Sequence, residues 1–304
     1  MSAVIPQERR TFWQGAALGG AMGRLRSGAA ALPSGRFAFS AALMLAIVAF
    51  AFAGPIVFEK DDPLKIVGLL YDRPSSEVWL GTDNFGRDVF AQLMHGTRTS
   101  LVIGVIAGGV ATAIGVVIGT TAGFRGGFVE ETLMGITNIV ITIPSIVVLI
   151  LLSIAVGSRS IVTLGLIIGV TSWPWTARAI RAQASSLRTR EHVDVARLSG
   201  AGTFSLIVWE VVPFMLSYIF MAFVLQLASG ILQEAALSML GLGPAGETIS
   251  LGIMLHWALL WESVRTGAWW AFVPPTLLLT LIAFALLLLQ SSLDEVFNPR
   301  LRRR

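Results

Sequence analysis

The residue types that carry most enzyme chemistry are scarce in this chain and badly spaced for it. Cysteine is absent, which removes disulfide frameworks, thiolate metal sites and a cysteine nucleophile together. Lysine occurs only at Lys60 and Lys65, so the chain has no G-x-x-x-x-G-K-[ST] phosphate loop and no lysine for Schiff-base chemistry at an inner site. His95, His192 and His256 form no H-E-x-x-H or H-x-x-x-H pair. No catalytic residue, no metal site and no cofactor bound by the chain itself are expected. What remains is a set of uncharged polar side chains in apolar surroundings, Asn138, Gln226, Ser229 and Gln233. They either line a pathway or join helices by hydrogen bonds.

The elements that position these groups must be membrane spans. Of 304 residues, 55% are hydrophobic and only 13% charged, against about 25% charged in an ordinary soluble domain. With a mean hydropathy of +0.76, this excludes a soluble globular enzyme. Six stretches of at least 18 residues lack Asp, Glu, Lys and Arg: between Arg36 and Glu59, Arg98 and Arg125, Glu131 and Arg159, Arg159 and Arg178, Glu210 and Glu234, and Arg265 and Asp294. A hydrocarbon core about 30 Å thick needs roughly 20 apolar residues at about 1.5 Å each. The expectation is therefore an all-α integral membrane protein with six transmembrane helices in residues 37–293. It is flanked by tails at 1–36 and 294–304, with an inner loop at 178–210 and outer loops at 57–100 and 233–268. The last of these has uncharged runs too short to cross, which makes them interfacial or re-entrant. Spans without ionisable groups argue against proton-coupled transport, and spans without histidine against an intramembrane hydrolase.

Charge sets the orientation. With the N-terminus inside, 15 of the 22 Lys and Arg residues fall on inner segments, whereas 8 of the 18 acidic residues do. The positive-inside rule thus gives N-in and C-in, and the basic excess points to membrane lipid rather than to nucleic acid. Trp173, Trp175 and Trp209 fall at proposed inner span ends and Trp269 and Trp270 at an outer one, as an aromatic belt requires. Gly104 and Gly108, then Gly115, Gly119 and Gly123, recur every four residues in the second span, as do Gly165 and Gly169 in the fourth. Small residues so spaced let another backbone approach, which places these helices inside a bundle. Pro144 is expected to kink the third span, and Asp83 or Thr82 to cap the helix that follows Gly86.

Four segments carry a resemblance. Arg190 to Gly202 reads as a short amphipathic helix ending at glycines, and Asp194-Val195-Ala196, Gly200 and Val211-Val212-Pro213 resemble the EAA loop of binding-protein-dependent ABC importer permeases. Asp replaces the usual Glu and Val the usual Ala. Leu80-Gly81-Thr82-Asp83-Asn84-Phe85-Gly86-Arg87-Asp88-Val89 is similar to the L-G-T-D-x-x-G-R-D-V signature of the second, C-type permease of dipeptide, oligopeptide and nickel importers. Glu234-Ala235-Ala236-Leu237-Ser238-Met239-Leu240-Gly241-Leu242-Gly243 is similar to its E-A-x-L-S-F-L-G-L-G, and Leu293 to Leu301 to its ending.

The resemblance covers roughly residues 37–302 and implies a type I ABC importer permease fold in a prokaryotic inner membrane. It also implies a second homologous permease subunit, two ATPase subunits that bind ATP and Mg, and an outer solute-binding protein. The inner loop becomes the coupling helix, with Glu191, Asp194, Val195, Ala196, Gly200, Gly202 and Pro213 as its residues; Glu191 and Asp194 would accept from the ATPase, and Val193, Ala196 and Leu198 would supply apolar contact. Gly81, Thr82, Asp83, Gly86, Arg87, Asp88, Glu234, Leu237, Ser238 and Gly241 either cap the bundle at the outer mouth or meet the binding protein. The implied substrates are di- or oligopeptides, with nickel complexes or oligosaccharides as alternatives. A channel or facilitator working alone, or a scaffold, is the reading from another class.

Overall fold

Asp88 starts the helix around which the rest packs. Its Oδ1 accepts from the backbone N–H of Phe90 at 2.8 Å and of Ala91 at 3.4 Å, satisfying two donors that the first helical turn leaves open. The cap is thus Asp88 rather than Asp83 or Thr82, because Asp83 is spent on an earlier turn, accepting from the N–H of Phe85 and Arg87. A computed structural model describes residues 35–297, with side chains through Leu293. The expected inner tail, except its last two residues, and residues 298–301 of the Leu293–Leu301 ending lie outside the described residues.

Among the described residues every regular element is helical: α1 (Gly35–Phe52), α2 (Val89–Arg125), α3 (Gly127–Thr142), α4 (Ser145–Val156), α5 (Ile161–Leu187), α6 (Glu191–Leu198), α7 (Thr203–Met239), α8 (Leu251–Leu260) and α9 (Val273–Phe297). Four segments are single helices long and apolar enough to cross a membrane: α1, α2, α7 and Trp269–Leu293. The expected third span is α3 and α4, bent by 85° at their junction, and makes five if the pair counts as one. This is a break where a kink was expected. Pro144 has no N–H and drives Ile143 out of the helical region, to φ −86° and ψ 125°. The expected fourth span lies in α5, which has 27 residues, but Thr171, Ser172, Trp173, Pro174 and Arg178 dilute its apolar character. Pro213 acts more gently, since the turn before it widens to π geometry over Leu206–Val211 and the helix continues.

The glycines of α2 do the packing their spacing predicts. A Cβ on Gly108 would stand 2.8 Å from the backbone N of Leu227 in α7, one on Gly115 2.6 Å from Thr176 Cβ, and one on Gly119 2.6 Å from Ala177 O in α5. From the other side, Gly165 and Gly169 of α5 receive Ile106 and Val110. Helix α2 is therefore wedged between α5 and α7 at backbone contact. Ile47, Leu101, Ile231, Met254 and Ile282 join α1, α2, α7, α8 and α9 in one apolar cluster, and Ser40 meets Ser292 across α1 and α9 at 3.3 Å. A second cluster gathers Phe124, Ile180, Ala184, Val193, Leu206 and Met215 at the opposite end.

Gly119→Leu is expected to cost about 1–3 kcal/mol by overpacking. Gly109→Leu, on the same helix where a Cβ meets nothing within 4 Å, leaves the unfolding midpoint in detergent near that of the parent. Equal midpoints for the two variants would contradict the wedge.

Candidate coupling surface and outer brace

Helix α6 is amphipathic and is fastened to the bundle by Val193 and His192. Val193 is 0% exposed among Phe124, Ile180 and Leu206, while Leu198 is 89% exposed and Val195 and Phe204 also stand outward. This corrects the expected apolar contact set: Val193 anchors, Ala196 is half-buried, and Val195, Leu198 and Phe204 form the free apolar surface. Asp194 pairs with Arg197 of its own helix at 2.7 Å, both half exposed, a contact of small energetic weight. Glu191 is exposed. His192 stacks on Phe214 at 4.2 Å and donates from Nε2 to Glu210 O at 3.2 Å, fastening α6 to the start of α7.

The helix stops in a closed C-terminal turn. Gly200 N–H donates to Arg197 O at 3.0 Å and Ala201 N–H to Ala196 O at 3.1 Å, with Gly200 at φ +85°. This pair of bonds satisfies the last carbonyls and needs a left-handed residue at that position. Gly202 follows in extended conformation and starts α7. Beside α6 lies a cavity of ≈ 490 Å³ lined by Arg125, Arg188, Arg197, Asp194, Thr189 and Thr203, in which basic groups outnumber acidic ones.

At the other end, the Gly81–Asp88 segment is folded onto itself and mostly buried. Thr82 Oγ1 donates to Leu69 O at 2.6 Å and accepts from Asp72 N–H at 2.7 Å, and Trp270 Nε1 donates to Thr82 O at 3.0 Å. Asp83 Oδ2 accepts from Gln92 Nε2 at 2.6 Å, and Asp88 Oδ2 meets Lys60 Nζ at 2.7 Å. The backbone takes positive φ at Gly81 and Gly86, where Asp72 O and Gly68 O leave no room for a Cβ. Arg87 lies over the rings of Phe85, at 4.5 Å, and Trp257, at 5.5 Å. Tyr71 closes the segment with a 3.0 Å hydroxyl contact to Ser263, and burial pushes its phenol pKa up.

Glu234 is the second element of this brace. It is 0% exposed, and its carboxyl accepts from Ser100 Oγ at 2.9 Å and Ser238 Oγ at 2.6 Å. Ser100 in turn accepts from Leu251 N–H at 3.3 Å, so one carboxyl links α2, α7 and the first residue of α8. Gly252 and Gly243 press against Ala235 and Ser238, Leu237 is buried, and Gly241 O accepts from Arg159 Nη1 at 2.9 Å.

The polar residues of the spans divide. Gln226 Nε2 donates to Ser172 O at 3.0 Å and Thr176 Oγ1 at 2.6 Å; Gln233 Nε2 donates to Ser172 Oγ and Ser229 Oγ, both at 3.1 Å. Gln226 and Gln233 thus tie α7 to α5, while the Ser229 bond stays within α7. Asn138 does not join them. It is exposed, and its Oδ1 accepts from Arg178 at 2.6 Å.

With a membrane bundle that hangs a short helix from one end, the decisive comparison is with known families. The pattern of the family described as binding-protein-dependent transport system inner membrane component matches residues 115–303, a region that contains α6, the Gly200 turn and Glu234. The chain belongs to this family. It is 33% identical over 230 residues to the dipeptide transport system permease protein DppC of Bacillus subtilis, covering 76% of this chain and 71% of that one. It is 30% identical over 264 residues to the oligopeptide transport system permease protein OppC of Mycobacterium bovis and of Mycobacterium tuberculosis, covering 86% of this chain and 89% of those. The chain is thus a multi-pass inner-membrane permease component of a binding-protein-dependent transport system and not an enzyme.

Residue types alone missed four partners in these inner-membrane component contacts: Ser100, Lys60, Trp270 and Arg178. Each lies far along the chain from the residue it serves, and only a long-range pairing signal would have found it. Glu234→Ala, which empties the joint and leaves Ser100 and Ser238 unpaired, is expected to cost about 2–4 kcal/mol, against about 1 kcal/mol for Ser238→Ala. Chemical denaturation in detergent measures both, and a Glu234→Ala protein as stable as its parent would remove the joint from the account.

Proposed function

We propose that this chain is the C-type permease of an ATP-driven importer of di- or oligopeptides. In this reading it has six spans, with both termini cytoplasmic, and it pairs with a second permease, two ATPase subunits that bind ATP and Mg, and an outer binding protein. The observation that carries the proposal is α6: a short helix fixed to the bundle through Val193 and closed at Gly200, with Val195, Leu198 and Phe204 turned outward. A chain without a phosphate loop has to receive its driving force by contact, and a helix packed this firmly moves with the spans rather than swinging free.

The apolar triplet and the basic cavity of Arg125, Arg188 and Arg197 suit an ATPase face with an apolar groove and an acidic edge. The peptide substrate rests on the names of the relatives, DppC and OppC. The outer segment and Glu234 serve as a brace that sets the α2 and α8 ends, since most of their functional-looking side chains are buried among themselves. Gln226, Ser229 and Gln233 serve as a helix joint beside the pathway.

Gly200→Asp places a side chain in open space but at a backbone angle that costs about 1 kcal/mol. The variant is expected to insert and fold, and to let ATP hydrolysis by the reconstituted importer continue while peptide uptake per ATP falls about tenfold. Uptake at the parental ratio would overturn α6 as the coupling element. Peptide flux through the purified chain without nucleotide would instead favour a facilitator.

A further inference from the structure

Helix α3 carries a face that packing does not explain. Gly127, Glu131 and Gly135 recur every four residues, as do Glu130, Met134 and Asn138, so all six lie within an arc of about 140° on one side. Phe128, Ile136 and Ile139 are exposed on the other side, as a lipid-facing surface would be. The six residues of the first face, with Arg178 and Arg181 of α5, line an open groove of ≈ 680 Å³, within the range of about 300–1,000 Å³ common for small-molecule sites.

The charges in this groove do not cancel in place. Arg181 donates to Glu130 as an ion pair, which settles those two. Arg178 meets only the neutral amide of Asn138, at 2.6 and 3.2 Å, and among the described residues neither it nor Glu131 has an ion pair. One cation, on α5, and one anion, on α3, are left over in the same groove. Gly135 adds a separate sign, for a Cβ there would meet nothing within 4 Å. A helical glycine costs about 1 kcal/mol relative to alanine, and no close neighbour accounts for it here. Charged side chains at the inner end of a span turn toward water or protein and away from lipid.

Resting on the peptide reading above, we infer that this groove is part of the inner translocation path and holds a zwitterionic peptide by its ends, with Arg178 on the terminal carboxylate and Glu131 on the terminal ammonium. Asn138 holds the Arg178 guanidinium outward, where its free N–H groups can take a carboxylate in fork geometry. Gly135 keeps the wall clear for side chains of different sizes, so the groove reads the peptide's ends and not its sequence.

The test uses the complete importer in proteoliposomes with its own binding protein and a radiolabelled free dipeptide, and reads peptide moved per ATP hydrolysed. Arg178→Gln is expected to lower this ratio about tenfold, the value of one charge-assisted contact of about 1.5 kcal/mol. Arg178→Lys, which keeps the charge but loses the fork, is expected to recover to within about threefold of the parent, and Gly135→Leu to impair a bulky dipeptide more than dialanine. Three results would overturn the proposal: parental uptake by Arg178→Gln, equal loss in the Gln and Lys variants, or failure of Arg178→Gln to co-purify with the second permease, which would make the residue an interface brace. Should the unaltered importer move no dipeptide while moving another solute its binding protein delivers, the peptide reading falls first and the groove assignment with it.

Discussion

Helices inside a bilayer gain little by hiding apolar side chains from one another, because lipid is as apolar as leucine. What holds such a bundle is how closely the backbones approach, and here that approach is made by α2. Its glycines admit Leu227 of α7 on one side and Thr176 and Ala177 of α5 on the other, at distances no larger residue would permit. Because α2 touches both neighbours at backbone level, a displacement of one of them is passed on by contact. A looser bundle, with long side chains between the axes, would absorb the same displacement in rotamer changes.

The ends of this wedge differ in kind. At the end that carries the Gly81–Asp88 segment, capping, an ion pair and buried hydrogen bonds converge on Thr82, Asp83, Asp88 and Glu234, while Asn84 Nδ2 and Arg87 Nε stay buried without a hydrogen-bond partner. At the other end α6 is attached through one valine, a histidine stacked on Phe214 and a closed glycine turn, and its remaining surface is open. One end is thus largely closed on itself, and the other leaves an apolar surface open to contact. The sequence carries this asymmetry, since the Gly81–Asp88 motif is rich in short polar side chains that satisfy backbone groups, whereas α6 keeps long exposed ones.

Much of this was legible because it depends on local spacing. Glycines at four-residue intervals specify a helix face wherever that helix sits, and Gly200 after a short amphipathic run specifies a left-handed stop. The misreadings came where the answer lay elsewhere in the chain. Val193 and Leu198 are equally apolar, and only the positions of Phe124 and Ile180 decide that the first is buried and the second free. Asp83 or Thr82 was the expected cap, and Asp88 takes the role because Asp83 is held by Gln92 and by the Gly86 turn. The bend at Pro144 was expected, but not its 85°, because its size depends on where α4 finds Leu164 and Ile168 to pack on.

The same contrast separates the two kinds of polar residue in the spans. Gln226 and Gln233 looked no different from Asn138 in sequence, all three being amides among apolar neighbours. The glutamines face α5 where Ser172 and Thr176 offer hydroxyls, and their hydrogen bonds close within the chain. Asn138 faces a charge instead. A carboxylate at that position would have neutralised Arg178 and ended its capacity to bind an anion; the amide orients the guanidinium and leaves its charge intact. An uncompensated cation beside lipid is tolerated only if something of opposite charge visits or water stays. The groove therefore keeps in reserve the kind of interaction that Asp88 and Lys60 spend on each other.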